Sequence, residues 1–151
     1  MAGFSNVIEQ RVIEAIFKGT TFALPAQLHV SLHSADPGDT GASELVAGTS
    51  PGYTRAQRNP DPNNATNTSW NAINQAGAAS AMTNFAAVTF PQATGNWNGG
   101  SLITFIGIWD AASAGNFICG GAISGGGVVV NNTQVLTFDG GSPGQLSVTL
   151  D

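Results

Sequence analysis

Hydrophobic residues near the start of the chain recur with helical spacing. Phe4, Ile8, Val12 and Ile16 fall four apart, with Ile13 and Phe17 beside them, so one stripe of a helix would be apolar. Ser5 precedes the stripe as an N-cap, and Gly19 follows it where helices favour a left-handed residue. The spacing predicts a helix over about 5–18, with Glu14 in reach of Lys18 at i,i+4. Two covers fit such a stripe. One is a sheet of the same chain, which is the expected case; the other is a partner subunit.

Beyond Gln27 the period changes to two. Leu28, Val30 and Leu32 alternate with His29, Ser31 and His33, the pattern of a half-buried strand. It runs into Ser34–Gly41, a dense cluster of turn residues. Residues 48–80 are poor in hydrophobic positions and rich in Asn, Pro, Thr and Ala, which predicts a long excursion with one short strand near Tyr53–Arg58. Strands return from residue 84 at Phe85–Phe90, Leu102–Trp109, Asn116–Ile123, Val128–Val130, Val135–Phe138 and Gln145–Leu150, separated by Gly-rich turns. Leu102–Trp109 is the most apolar of these and predicts a central strand covered on both faces. The pattern as a whole predicts one domain over 1–151, all-β, sandwich- or jelly-roll-like, with a single N-terminal helix.

Composition changes the picture from fold to role. Charged residues make up 9% of the 151 positions, against roughly 25% in an ordinary soluble domain. Net charge is only −5, so the surface reads as neutral and polar, suited to packing in an assembly without desolvating charges. The four basic residues, Arg11, Lys18, Arg55 and Arg58, form no run, which argues against direct nucleic-acid binding. No stretch approaches the ~20 apolar residues of a membrane span, and the first 30 residues lack the pattern of a signal peptide. Synthesis in a cytoplasm without export is the simplest expectation. The lone Cys119 sits in an apolar strand and reads as a small buried hydrophobe.

Candidate chemistry is sparse. His29 and His33 share a strand face and, with Asp36, offer the donor types of a metal site; a histidine pair on a polar strand face is more often at solvent or an interface. Asp36, Asp39 and Glu44 lack the spacing of a calcium loop, and turn formation accounts for the two aspartates. Asp110, Asp139 and Asp151 sit in separate turns or at the end, so a hydrolase with paired acids finds no support. No nucleophile elbow, phosphate loop or dinucleotide fingerprint occurs. No cofactor, no metal and no enzymatic activity are expected. Trp109 reads as core. Trp97 lies in a polar Gly/Asn turn, where a half-exposed indole would pack on a neighbour or stack on a sugar. Trp97, Trp70, Tyr53, Arg55 and Arg58 form the candidate interface.

An ordered set of motifs resembles a family of small tailed-phage virion proteins commonly called phage tail fibre proteins. The set is Leu28-His-Val-Ser-Leu-His-Ser-Ala-Asp-Pro-Gly-Asp-Thr-Gly41, Gly52-Tyr-Thr-Arg55, Val88-Thr-Phe-Pro-Gln-Ala-Thr-Gly-Asn-Trp97, Phe105-Ile-Gly-Ile-Trp-Asp-Ala111, Gly115-Asn116 and Leu146-Ser-Val-Thr-Leu-Asp151. The chain departs from the pattern at 58–80, which is longer and richer in Pro and Asn. The resemblance implies a virion structural protein and marks no catalytic residue. Because the chain is short and self-contained, the leading expectation is a capsid decoration (cement) protein, a homotrimer bridging copies of the major capsid protein. The alternative is a tail-fibre or baseplate module that binds a host glycan or another tail protein.

Overall fold

The computed structural model describes residues 3–23, 25–60, 69–72, 80–141 and 145–150. It is built from antiparallel strands with one α-helix. A short strand β1 (Gly3–Phe4) leads into helix α1 (Asn6–Lys18). Ser5 stands outside the helix at φ −66° and ψ 155°, and its Oγ accepts from the Ile8 N–H at 3.4 Å while donating to the Phe117 carbonyl at 2.5 Å. The same hydroxyl therefore caps the helix and fastens it to the sheet. Gly19, at φ 66°, ends it in the left-handed conformation, as its position predicts.

The main sheet has five strands: β1, then β2 (His29–His33), β3 (Ala56–Gln57), β6 (Phe105–Trp109) and β7 (Phe117–Ala122), in the order β1-β7-β6-β2-β3. The apolar run around β6 is central, as expected. Its partners pair in register from His33↔Phe105 to His29↔Trp109 on one side and from Phe105↔Ala122 on the other, with a bulge between Ile108 and Trp109. Two ribbons complete the fold: β4 (Ser80–Thr83) with β9 (Ser147–Leu150), and β5 (Val88–Thr89) with β8 (Thr137–Phe138). Residues 61–68 and 73–79, the bulk of the Pro/Asn-rich excursion, lie outside the described residues.

One core spans the sheet and the ribbons. Val30 and Leu32 of β2, Ile108 of β6 and Cys119 of β7 meet Val88 of β5, Phe138 of β8 and the rings of Tyr53, Phe90 and Trp97. Tyr53 and Phe90 both lie edge-to-face with Trp97, at centroid separations of 5.5 and 6.4 Å. Asn84, fully buried, joins the two ribbons: its Nδ2 donates to Ala86 O at 3.0 Å and Asp139 O at 3.1 Å, and its Oδ1 accepts from Leu146 N at 2.8 Å. Cys119 is buried and its thiol pKa is pushed up to about 11 by desolvation, in keeping with a packing role.

Two expectations about covering fail. The apolar stripe of α1 does not pack on the sheet: Ile8 is buried, but Val12, Ile13, Ile16 and Phe17 are exposed. Conversely, β2 is not half-exposed. All five of its residues are buried, because the segment 34–45 and the Trp109 and Phe117 rings cover its polar face. Strand lengths differ too. The predicted Phe85–Phe90 strand shrinks to Val88–Thr89, while β4 arises where the excursion ends, ahead of the first predicted returning strand, and pairs with β9.

Candidate functional site

The motif residues gather on the polar face of β2 and β6. A chain of hydrogen bonds runs along it. Trp109 Nε1 donates to Ser31 Oγ at 2.9 Å, and Ser31 Oγ lies 2.7 Å from His33 Nε2. His33 Nδ1 lies 2.7 Å from the Ala42 carbonyl. These partners fix the tautomer. A carbonyl only accepts, so Nδ1 carries the proton; Nε2 then accepts the serine proton while the serine oxygen accepts from the indole. Every group in the chain is satisfied with a neutral imidazole. Burial lowers the His33 pKa, and the Ala42 carbonyl and the Glu44 charge oppose that only in part. The geometry needs Gly107: a Cβ there would stand 2.6 Å from His33 Nε2, 2.7 Å from Ser31 Oγ and 2.8 Å from the Phe117 ring.

A second set of bonds locks the loops above it. Arg55 forms a fork with Glu44, Nε to Oε1 at 2.8 Å and Nη2 to Oε2 at 2.7 Å, and its Nη1 donates to the carbonyls of Ala111 and Ala114 at 2.8 Å each. The guanidinium lies 3.8 Å from the centre of the Trp109 ring. Tyr53 Oη donates to Glu44 Oε1 at 3.2 Å and accepts from Leu32 N at 2.9 Å. At the far side Asp110 accepts from Asn116 N and Nδ2, both at 2.6 Å, which shapes the 110–116 turn with Ala114 at φ 50° and Gly115 at φ 80°. Burial would raise the Asp110 pKa, but the two Asn116 bonds and the Arg11 charge together bring it below the ordinary value.

This arrangement is a clamp. Glu44, Arg55 and Tyr53 tie the 34–45 segment and the 110–116 turn to the sheet, and their polar atoms are spent on one another. Asp36 forms the expected turn, its Oδ1 accepting from Gly38 N at 2.9 Å. Among the described residues no group of three or more His, Cys, Asp or Glu is placed to hold a metal ion. His29 is buried rather than at solvent and has its Nε2 3.3 Å from Gln27 Oε1.

The five candidate interface residues fall differently from expectation. Trp97 is fully buried, with Nε1 donating to Pro51 O at 2.9 Å. Its polar turn folds the indole inward because Asn98, Gly99 and Gly100 all take positive φ. Trp70 is buried, with Nε1 donating to Asn59 O at 3.2 Å, and Tyr53 is buried in the core. Arg55 belongs to the clamp, and Arg58 is half-buried with Nη2 donating to Ala87 O. All three indoles are buried, at 7, 0 and 8% exposure for Trp70, Trp97 and Trp109, so none presents a face for stacking. The members that sequence reasoning missed are Ser31, Glu44 and Gly107. One signal was available for Glu44: with so few charges in the chain, a lone acid 11 positions from Arg55 stands out as its partner.

No curated protein matches the sequence. A family model described as podophage GP4 fiber I protein gp80 matches residues 3–149, from β1 through the clamp and into β9. The chain therefore belongs to this family of podophage fibre proteins, which are proteins of the virion.

Proposed function

We propose that the chain is a non-enzymatic structural module of a phage tail fibre that associates with copies of itself, in a trimer as first expectation, and with another tail protein. The observation that carries this reading is the match of residues 3–149 to a fibre protein family. The clamp supports it, because its ionisable groups are paired or neutral and serve to hold loops in place. The low charge of the chain supports association, since copies meet with few charges to desolvate.

Capsid decoration, the leading expectation from the sequence, had the shortness of the chain behind it; the fibre family favours the alternative. Glycan binding through Trp97 loses its motive, because that indole is internal. Cryo-microscopy of the phage particle, with antibody labelling of this chain, tests the reading. Density and label at the tail are expected; label confined to the head lattice would overturn it.

A further inference from the structure

Helix α1 carries a bare apolar ridge. Val12, Ile13, Ile16 and Phe17 are 36, 56, 69 and 80% exposed. They line one face and present on the order of 500 Å² of apolar surface, the size of patch that marks an interaction site. The same chain has an apolar groove. A cleft of about 400 Å³ opens beside the end of β7, walled by Ile106, Ile123, Val128, Leu136, Phe138 and Leu146, with the uncharged polar residues Ser124, Thr137, Gln145 and Ser147 also in its lining. None of its lining residues is charged.

The ridge and the groove lie at opposite ends of β7. Ser5 fastens the start of α1 at Phe117 and Ile118, and Arg11 acts on Asp110 beyond that same end. The cleft begins at Ala122 and Ile123. We propose that the apolar face of α1 seats in this cleft of a second copy, so that copies join head to tail. Ile13, Ile16 and Phe17 are the i, i+3, i+4 anchors of a helix laid in a groove.

Charge favours a second copy as the occupant. The chain carries −5, so copies repel in general, but on α1 Glu9 and Glu14 are balanced by Arg11 and Lys18, and the cleft is neutral. Contact between these two places joins copies where repulsion is least and buries no unpaired charge. Such a contact is heterologous: it closes into a ring of three where the rotation between copies is a third of a turn, and any unclosed assembly keeps a free ridge at one end and a free groove at the other.

The inference rests on the reading that copies associate, and light scattering of the full chain over a concentration series separates the two. Phe17→Glu spoils the ridge; Ala122→Glu, at an exposed position on the cleft wall, spoils the groove. Each alone is expected to weaken association by at least ~30-fold, as loss of an interface anchor does. Mixed in equal amounts they are expected to form dimers that grow no further, since each supplies the half the other lacks. Wild-type-like association by Ala122→Glu, or a mixture that stays monomeric, would overturn the inference while self-association stands. A wild-type chain monomeric throughout would overturn both. Ile16→Glu and Ser147→Glu give the same two arms if either first variant fails to fold.

Discussion

Helix α1 and strand β2 are the two most regular stretches of the sequence, and the fold covers them in opposite ways. The stripe of α1 reads as a face seeking a core, yet only Ile8 is buried and Phe17 stands 80% exposed. The polar positions of β2 read as facing solvent, yet His29, Ser31 and His33 are at 3, 0 and 0% exposure. Period fixes which residues share a face, because it follows from backbone geometry. It does not fix which face is covered, because the cover comes from segments far away in sequence. On β2 the cover is the 34–45 segment with the Trp109 and Phe117 rings, and the buried polar atoms of Ser31 and His33 are tolerable because each finds a partner. On α1 no cover comes from the described residues of the same chain.

The sharpest way to break the β2 side is to deny its network room. Gly107→Ala would drive a methyl into His33, Ser31 and Phe117 at once, all of them buried, with no flexible side chain to swing away. A loss of about 4 kcal/mol is expected, from overpacking joined to a disrupted buried network. Urea denaturation measures it; a midpoint within about 1 kcal/mol of wild type would show that the network is not tightly held.

Next in size is the clamp that holds the cover. Arg55→Ala leaves the Glu44 carboxylate without its fork and frees the carbonyls of Ala111 and Ala114. The Arg55 and Glu44 side chains are 7 and 19% exposed, so removing one partner is expected to cost about 3 kcal/mol. Arg55→Lys should recover less than half of this, because an ammonium cannot make the fork or lie flat on the Trp109 ring. Full recovery by lysine would reduce the clamp to simple charge attraction.

The clamp also shows where sequence reading stops. Four of the five strands of the main sheet, all but β1, the helix with both caps and the burial of Cys119 and Trp109 were legible, since each follows from local pattern and capping chemistry. The site was legible only as motifs. Ser31 and His33 are two apart, but Trp109 is 78 residues from Ser31, and only the β2–β6 register brings them together. Trp97 misled for a related reason: polar neighbours suggest a surface turn, whereas here glycines and Asn98 at positive φ let that turn fold its indole into the core.

Acid should loosen β2 by a smaller amount. Burial keeps His33 and His29 neutral in the fold below the pH at which a free imidazole takes up a proton. The unfolded chain then binds more protons than the folded one, so stability is full above about pH 6.5 and falls as pH drops below it. The slope is at most about 1.4 kcal/mol per pH unit for each histidine, until the folded pKa is reached. Denaturation midpoints at pH 8 and 5.5 should differ in the wild type and converge in part for His33→Gln. Equal midpoints in the wild type would mean that the imidazole tolerates charge, contrary to its partners.

The smallest effect falls on α1, and smallness is the prediction. Ile16→Ala removes three carbons from a residue 69% exposed and raises helix propensity, so the monomer, held at a dilution where copies do not associate, should melt within ~0.5 kcal/mol of wild type. Ile8→Ala, on the same stripe but buried beside the capping Ser5, is the control with a clear loss. Two nearly equal losses would mean that the stripe packs uniformly on its own chain. A loss at Ile8 alone means that the helix is anchored at its first turn and that the rest of its apolar face is free for another surface. The gradient of exposure from Ile8 to Phe17 already runs that way, from 4% to 80% along about two and a half turns of one helix.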